Sequence, residues 1–364
     1  MSYQFIKPKD NEIILFIVFF VSRKFWLLKA EVSIISMNFT SFTQIILGCL
    51  REELGNDYTV LSGIVNKNNG VRRTGITIRK EGQNVFPTIY IDEFYREDLT
   101  EKETAQIANR LLESFAAAEF EEKVDLSSFT DFVRAKKKLA FKLISVERNQ
   151  KLLKTIPHKV FHNLAIVYYY TVQEAPFYGN AVVLINNHHM RQWGTGPDEL
   201  LEIAGRNTPD LFPWAIDSME EIMRGMLAED LSREREADKS DTFSGKRMDE
   251  KDWEDELIEQ VAADFTSGRV PMYVLTNRQK INGAACMLYP DVLRVFGEKI
   301  GRDFYILPSS IHELILVPDD ESVSKEALWE IVTDINRTQV AEEEILADSI
   351  YYYNRKKDRI LWLL

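Results

Sequence analysis

The sequence predicts an α+β fold in which antiparallel sheets pack against helices, and three observations lead there. Short apolar runs of strand length, bounded by Asn, Gly, Pro or Ser, recur along the chain. Segments with the 3.6-residue apolar period stand between them, and helix-start signals precede those segments. Residues 270–318, VPMYVLTNRQKINGAACMLYPDVLRVFGEKIGRDFYILPSSIHELILVP, show the pattern most densely. The runs at 272–276, 284–289, 304–307 and 314–317 have strand length and one amphipathic segment follows the second, so the region reads strand, strand, helix, strand, strand.

A chain of 364 residues is long enough for two or three compact units. Lys and Arg total 45 against 57 Asp and Glu, a net charge of -12, which opposes attraction to nucleic-acid phosphates or anionic lipid. Cys49 and Cys286 sit in apolar contexts with neither a paired spacing nor a zinc-ligand pattern. A reducing cytoplasm is the simplest location, and one disulfide between them is the alternative.

Residues 1–36 differ in texture from the rest. Their apolar run at 13–21 is shorter than the roughly 20 residues of a spanning helix. No small-x-small cleavage site follows it cleanly, so a signal peptide fits poorly. Met37 opens a well-formed helix start, and Glu31-Val32 is encodable by GAG-GTN, the core of a bacterial ribosome-binding site. The expectation is a leader translated from a misplaced start, with a membrane anchor as the alternative. No membrane association is expected if these residues are not native.

Residues 37–125 read as an α-β-β-β-α unit: a helix at 39–54, strands at 58–66, 73–80 and 86–91, and a helix at 99–118. Asn68-Asn69-Gly70 and Glu81-Gly82 supply the turns. Thr100 with Glu103 makes a capping box for the second helix, whose buried stripe is Ala105, Ile107, Ala108, Leu111, Leu112 and Phe115. Double-stranded RNA-binding domains share this order but meet phosphates with a basic start to that helix. Asp98, Glu101 and Glu103 would oppose them here.

Residues 126–227 read as a first hairpin-plus-helix unit, with strands near 139–146, 160–172 and 181–185, a helix carrying His189 and a second helix from Pro197. Lys136, Lys137 and Lys138 read as the solvated lead-in to a strand and not as a nucleic-acid patch. Residues 228–256, with twelve acidic residues against six basic, read as a solvated helix end and a mobile linker. Residues 257–364 form the second unit, closed by a helix at 322–336 and a C-terminal hairpin. Without gaps, 180–194 aligns with 283–297, pairing Trp193 with Phe296, His189 with Val292 and Gly194 with Gly297. This suggests two related β-hairpin-plus-helix units with equivalent buried aromatics.

No metal site or cofactor is expected. His158 and His162 have the four-residue spacing of zinc ligands on a helix, but Pro157 and the strand-like LAIVYYYTV leave no room for that helix. His189 aligns with an inner-face position and reads as a core histidine, and Cys286 as a small core side chain. Ser309, Ser310, His312 and Glu313 are the candidates for a hydrolytic site, with Asn277 and Arg278 the candidate binding residues on a nearby loop. Alternation along a strand points His312 and Glu313 to opposite faces, which favours a structural Pro-Ser-Ser turn.

Several phrases together resemble a bacterial family of unknown function found in anaerobic gut bacteria, family number 5688. They are WGTGPDELLEIAGRNTPDLFP, VLTNRQKINGAACMLYPDVL, ILPSSIHELILVP and NRTQVAEEEILADSIYYYNR. The resemblance covers about 37–364 and implies no activity, cofactor or catalytic residue. The functional expectation is a non-catalytic binding or adaptor module for a protein partner. The alternative is a hydrolase using the Ser309, Ser310, His312 and Glu313 region.

Overall fold

A computed structural model describes residues 37–81, 88–118, 127–172, 181–238, 270–321 and 323–363. The chain divides into two compact units, with Leu211 in one and Phe212 in the other. The expected leader, 1–36, lies outside the described residues.

In the first unit, α1 (Phe39–Leu54) begins where the Asn38 side chain accepts the Ser41 N–H at 2.8 Å, and it stops at Gly55 with φ +70°. Strands β1 (Tyr58–Asn66), β2 (Arg72–Lys80) and β3 (Thr88–Tyr90) follow, antiparallel and in that order. Then comes α2 (Glu101–Ala118). Its box forms as read: Glu103 N–H donates to Thr100 Oγ1 at 3.2 Å while Glu103 Oε2 accepts the Thr100 N–H at 2.9 Å. Those bonds hold the Glu103 carboxyl below its usual range. Phe42, Ile46 and Leu50 of α1 and Ala108, Leu111 and Phe115 of α2 bury against Val60, Ile76 and Ile78, so both helices cover one face of the sheet.

Two short turns of helix, α3 (Ser127–Thr130) and α4 (Phe132–Ala135), lead through Lys136–Lys138 into β4 (Leu139–Ser145). After α5 (Gln150–Leu153) come β5 (His158–Phe161), β6 (Leu164–Val172) and β7 (Ala181–Leu184). β6 pairs with β4 along one edge and with β5 and β7 along the other. His158 lies on a strand and His162 in the following turn at φ 53°, so they share no helix face. α6 (Asn187–Trp193) and α7 (Pro197–Leu211) complete the unit. α7 runs past Gly205 and Pro209, residue types that commonly end a helix. Leu200, Ile203, Ala204 and Thr208 are buried, and Thr208 Oγ1 accepts the Phe141 N–H at 3.0 Å. Packing on β4 thus outweighs the proline's missing N–H.

His189 is a cap and not a core residue. Its Nδ1 accepts the Asn186 N–H at 3.3 Å, while Asn186 Oδ1 accepts the His188 and His189 N–H groups. Its half-buried ring meets Phe129 edge-on at 5.0 Å, and this burial, with His188 beside it, lowers its pKa.

The second unit opens with β8 (Trp214–Ser218) and α8 (Met219–Asp238), the latter covering the first part of the expected linker; 239–269 lie outside the described residues. It continues with β9 (Tyr273–Asn277), a 3-10 helix at Gly283–Leu288, α9 (Val292–Ile300), β10 (Phe304–Pro308) and β11 (Leu314–Pro318). α10 (Lys325–Thr338) and the hairpin β12 (Tyr351–Asn354) and β13 (Arg359–Trp362) close it. One six-stranded antiparallel sheet has the order β13-β12-β10-β11-β9-β8. Val274, Leu307, Ile315, Val317, Leu328, Val332 and Ile350 form a core on one face.

Two expectations fail in this unit. Residues 284–289 are not a strand, because Gly283, Ala284 and Ala285 press a 3-10 turn against β9. A short buried apolar run carries no periodicity that separates the two. The aligned segments therefore differ, one holding a strand and the other a 3-10 helix. Gly194 ends α6 at φ +66°, whereas Gly297 lies inside α9. Trp193 is half-buried and Phe296 is buried, so they are not equivalent.

Candidate functional site

The turn between β10 and β11 carries the hydrolytic candidates, and the two strands force it to close tightly. Both Ser309 and Ser310 donate their N–H to the Glu313 carbonyl, at 3.3 and 3.2 Å. Both serines are buried. Ser309 Oγ donates to Glu313 Oε1 at 3.3 Å, and Ser310 Oγ accepts the backbone N–H of His312 at 3.0 Å. The turn thus joins Ser310 to the His312 main chain.

The imidazole is oriented by two other segments. His312 Nδ1 lies 3.1 Å from the Asn282 N–H and must accept from it. That fixes the tautomer with the proton on Nε2, which faces Glu344 Oε1 at 3.7 Å. In a serine-base pair the imidazole offers an unprotonated nitrogen to the hydroxyl. Here the accepting nitrogen meets a backbone amide.

Asn277 and Arg278 separate in role. Asn277 is buried and closes a loop reciprocally: Nδ2 donates to the Ile281 carbonyl at 2.7 Å and Oδ1 accepts the Ile281 N–H at 3.2 Å. Arg278 gives its backbone N–H to the Pro213 carbonyl at 2.9 Å and leaves its side chain exposed. Thr276 Oγ1 donates to the His312 carbonyl at 2.8 Å, tying this loop to the serine turn. Thr276, Asn282 and Glu344 lie far along the chain from His312. Of these, sequence reasoning had a signal only for the Asn282-Gly283 turn.

Burial raises the Glu313 pKa, while the Ser309 hydroxyl and Lys280 pull it back less strongly. The folded state therefore holds this proton more tightly than the unfolded chain does. The stability it contributes is present below the ordinary carboxylate value and is lost as pH rises through the folded value. Glu313→Gln is expected to flatten the fall in urea midpoint as the pH rises above the ordinary carboxylate value of about 4. A variant whose pH profile overlays the wild type would show Glu313 ionising normally.

Burial also pushes the Cys286 thiol up to about 12, and its Sγ meets the Thr276 carbonyl at 3.3 Å, so it remains a protonated core group. Among the described residues, no group of three or more His, Cys, Asp or Glu side chains is placed to hold a metal ion. No described helix is long and apolar enough to cross a membrane.

No curated protein and no solved structure matches the chain. A family model does match over residues 39–355, which include every strand up to β12, the Ser309–Glu313 turn and all the residues that orient His312. On that match the chain belongs to DUF5688, a family of unknown function.

Proposed function

We propose that this protein is a non-catalytic binding module that holds an extended segment of a protein partner along the outer edge of β1, which no described strand pairs. The observation that carries the reading is the character of that edge. β1 is nine residues long, with no charge and no proline, and Leu61 and Ile64 are 40% and 53% exposed. Edge strands that avoid pairing usually carry Lys, Pro or a bulge. An added strand would gain main-chain hydrogen bonds, with Leu61 and Ile64 offering apolar contacts on opposite faces.

Charge favours an acidic occupant over a second copy. β2, next inward, carries Arg72, Arg73, Arg79 and Lys80, and Lys67 follows β1. Pairing β1 with β1 would leave the two basic β2 strands three strand spacings apart, about 14 Å, and would supply neither with a counter-charge. The two free cysteines suit a reducing cytoplasm as the place of action. A serine hydrolase is disfavoured because the His312 Nδ1 lone pair points at a backbone amide.

The test uses Leu61→Lys/Ile64→Lys as an edge variant, with Arg278→Ala as a control. A partner captured by the wild type should protect the β1 amides from hydrogen exchange and be lost with the edge variant but not the control. A partner that binds the edge variant as well as wild type, leaving β1 unprotected, refutes the reading. So does serine-dependent labelling of Ser309 or Ser310 by a fluorophosphonate.

A further inference from the structure

The outer edge of β1 is not uniform, and the backbone bonds around β2 fix which of its groups face outward. Thr74 of β2 accepts the Ile91 N–H at 3.0 Å and gives its own N–H to Asp92 Oδ2 at 2.7 Å, both on the β3 side. Main-chain groups alternate sides along a strand, so Arg73, Gly75, Thr77 and Arg79 turn theirs toward β1, opposite Val65, Gly63, Leu61 and Thr59. The Lys67 N–H, which reaches the Val71 carbonyl at 2.8 Å, continues that series into the turn. Val60, Ser62, Ile64 and Asn66 therefore point their N–H and C=O groups away from β2, to the edge that no described strand pairs.

One of those groups is already engaged. Arg51, exposed in the last turn of α1, donates from Nη2 to the Val60 carbonyl at 3.0 Å, which is the outward direction that the alternation assigns. No carboxylate among the described residues pairs with this guanidinium. A charged side chain so placed ends strand addition at Val60 and leaves Ser62, Ile64 and Asn66 as the ladder for a guest. Gly63 lies in the middle of that open stretch. A Cβ there would meet nothing within 4 Å, whereas one on Gly75, directly across, would be crowded by Thr88 and Val65. Because Gly63 bonds toward β2, a residue facing it from outside stands in a non-hydrogen-bonded pair, with Cα atoms about 4.5 Å apart. At that distance a large ring can lie over the glycine.

We propose that the partner segment held at this edge runs antiparallel to β1 and pairs with Ser62, Ile64 and Asn66, carrying an aromatic residue over Gly63 and, three residues further toward its C-terminus, a carboxylate at Arg51. The inference rests on the reading of β1 as a docking edge and adds the register, direction and chemistry of the occupant. The antiparallel direction continues an antiparallel sheet and is the stronger pairing. A segment running that way passes Gly63 before Val60, so the interval between these two sets the interval between ring and carboxylate. The residue facing Val60 shares its face of the sheet, where Val60 is buried beneath the helices and from which Arg51 reaches the edge. A side-chain carboxylate and a C-terminal one offer the guanidinium the same charged acceptors.

The test is affinity selection of a soluble random-peptide library on the full chain, half of it with free C-terminal carboxylates and half amidated, with captured peptides sequenced by mass spectrometry. Peptides that prefer the wild type to Leu61→Lys/Ile64→Lys should share an aromatic residue with a carboxylate three positions after it. Asp or Glu there in both halves assigns the side chain, and capture from the free half alone assigns the C-terminus. Binding should protect the amides of Ser62, Ile64 and Asn66 from hydrogen exchange, while those of Leu61, Gly63 and Val65, already bonded to β2, change little. Arg51→Met and Gly63→Val should each weaken these peptides about tenfold, whereas peptides whose carboxylate is replaced by an amide should bind wild type and Arg51→Met alike. Edge-dependent peptides that lack this spacing, place the carboxylate before the ring, or bind either variant as tightly as wild type overturn the inference and leave the docking edge standing. A library that yields no peptide preferring the wild type to the edge variant overturns both. Should Arg51→Met fail to fold, Arg51→Gln reads the same comparison.

Discussion

Gly283→Ala destabilises the second unit by about 3 kcal/mol, the upper range of overpacking in a core. A Cβ at this position would run into Thr276 Oγ1 and the His312 carbonyl, and would stand 2.8 Å from the Asn277 backbone nitrogen. None of these is the far end of a flexible chain. The first two are joined by the hydrogen bond that ties β9 to the serine turn, so a methyl group cannot enter without breaking it. The Asn282 N–H that fixes the His312 ring lies on the adjoining residue and would shift with it. Urea unfolding followed by circular dichroism measures the loss. A cost under about 1 kcal/mol would mean that the 3-10 segment yields easily.

Phe296→Ala is expected to cost about 4 kcal/mol, as truncation of a buried aromatic does. The side chain is 2% exposed and meets Tyr273 at 5.0 Å and Phe304 at 4.9 Å, both edge-on. Those rings belong to β9 and β10, so the cavity would open where α9 lies on the sheet. Trp193→Ala should cost about half as much, mainly one hydrogen bond to the Phe129 carbonyl at 3.1 Å and stacking on Phe132 at 5.4 Å. Equal losses in paired unfolding experiments would restore the equivalence that gapless alignment suggests.

The contrast between these aromatics shows what a sequence can carry. The α-β-β-β-α unit is legible because its signals are local: Asn38 and Thr100 cap their own helices, and Asn69-Gly70 turns its own chain. β8 is not legible, since Pro213 precedes it and only its pairing with β9, from Trp214 opposite Asn277 to Ser218 opposite Tyr273, makes it a strand. The candidate turn was visible as adjacent Ser, His and Glu. Its chemistry was not, because the tautomer of His312 is set by Asn282 and Glu344, which tertiary folding alone brings to the ring.

The strand order of the six-stranded sheet has a consequence for the order in which the protein is made. β8 leaves the ribosome before any other strand of its sheet, yet its partner β9 begins only at Tyr273. The pairs β10-β11 and β12-β13, by contrast, join strands that emerge close together. Long-range pairing is slow to close, and a strand waiting for its partner shows an open edge to other nascent chains. Half-exposed Ile216 and the ring of Trp214 therefore spend the growth of the intervening chain unshielded. Synthesis from the N-terminus places the hazard of misassembly at this unit's first strand, while its last two hairpins arrive ready to zip.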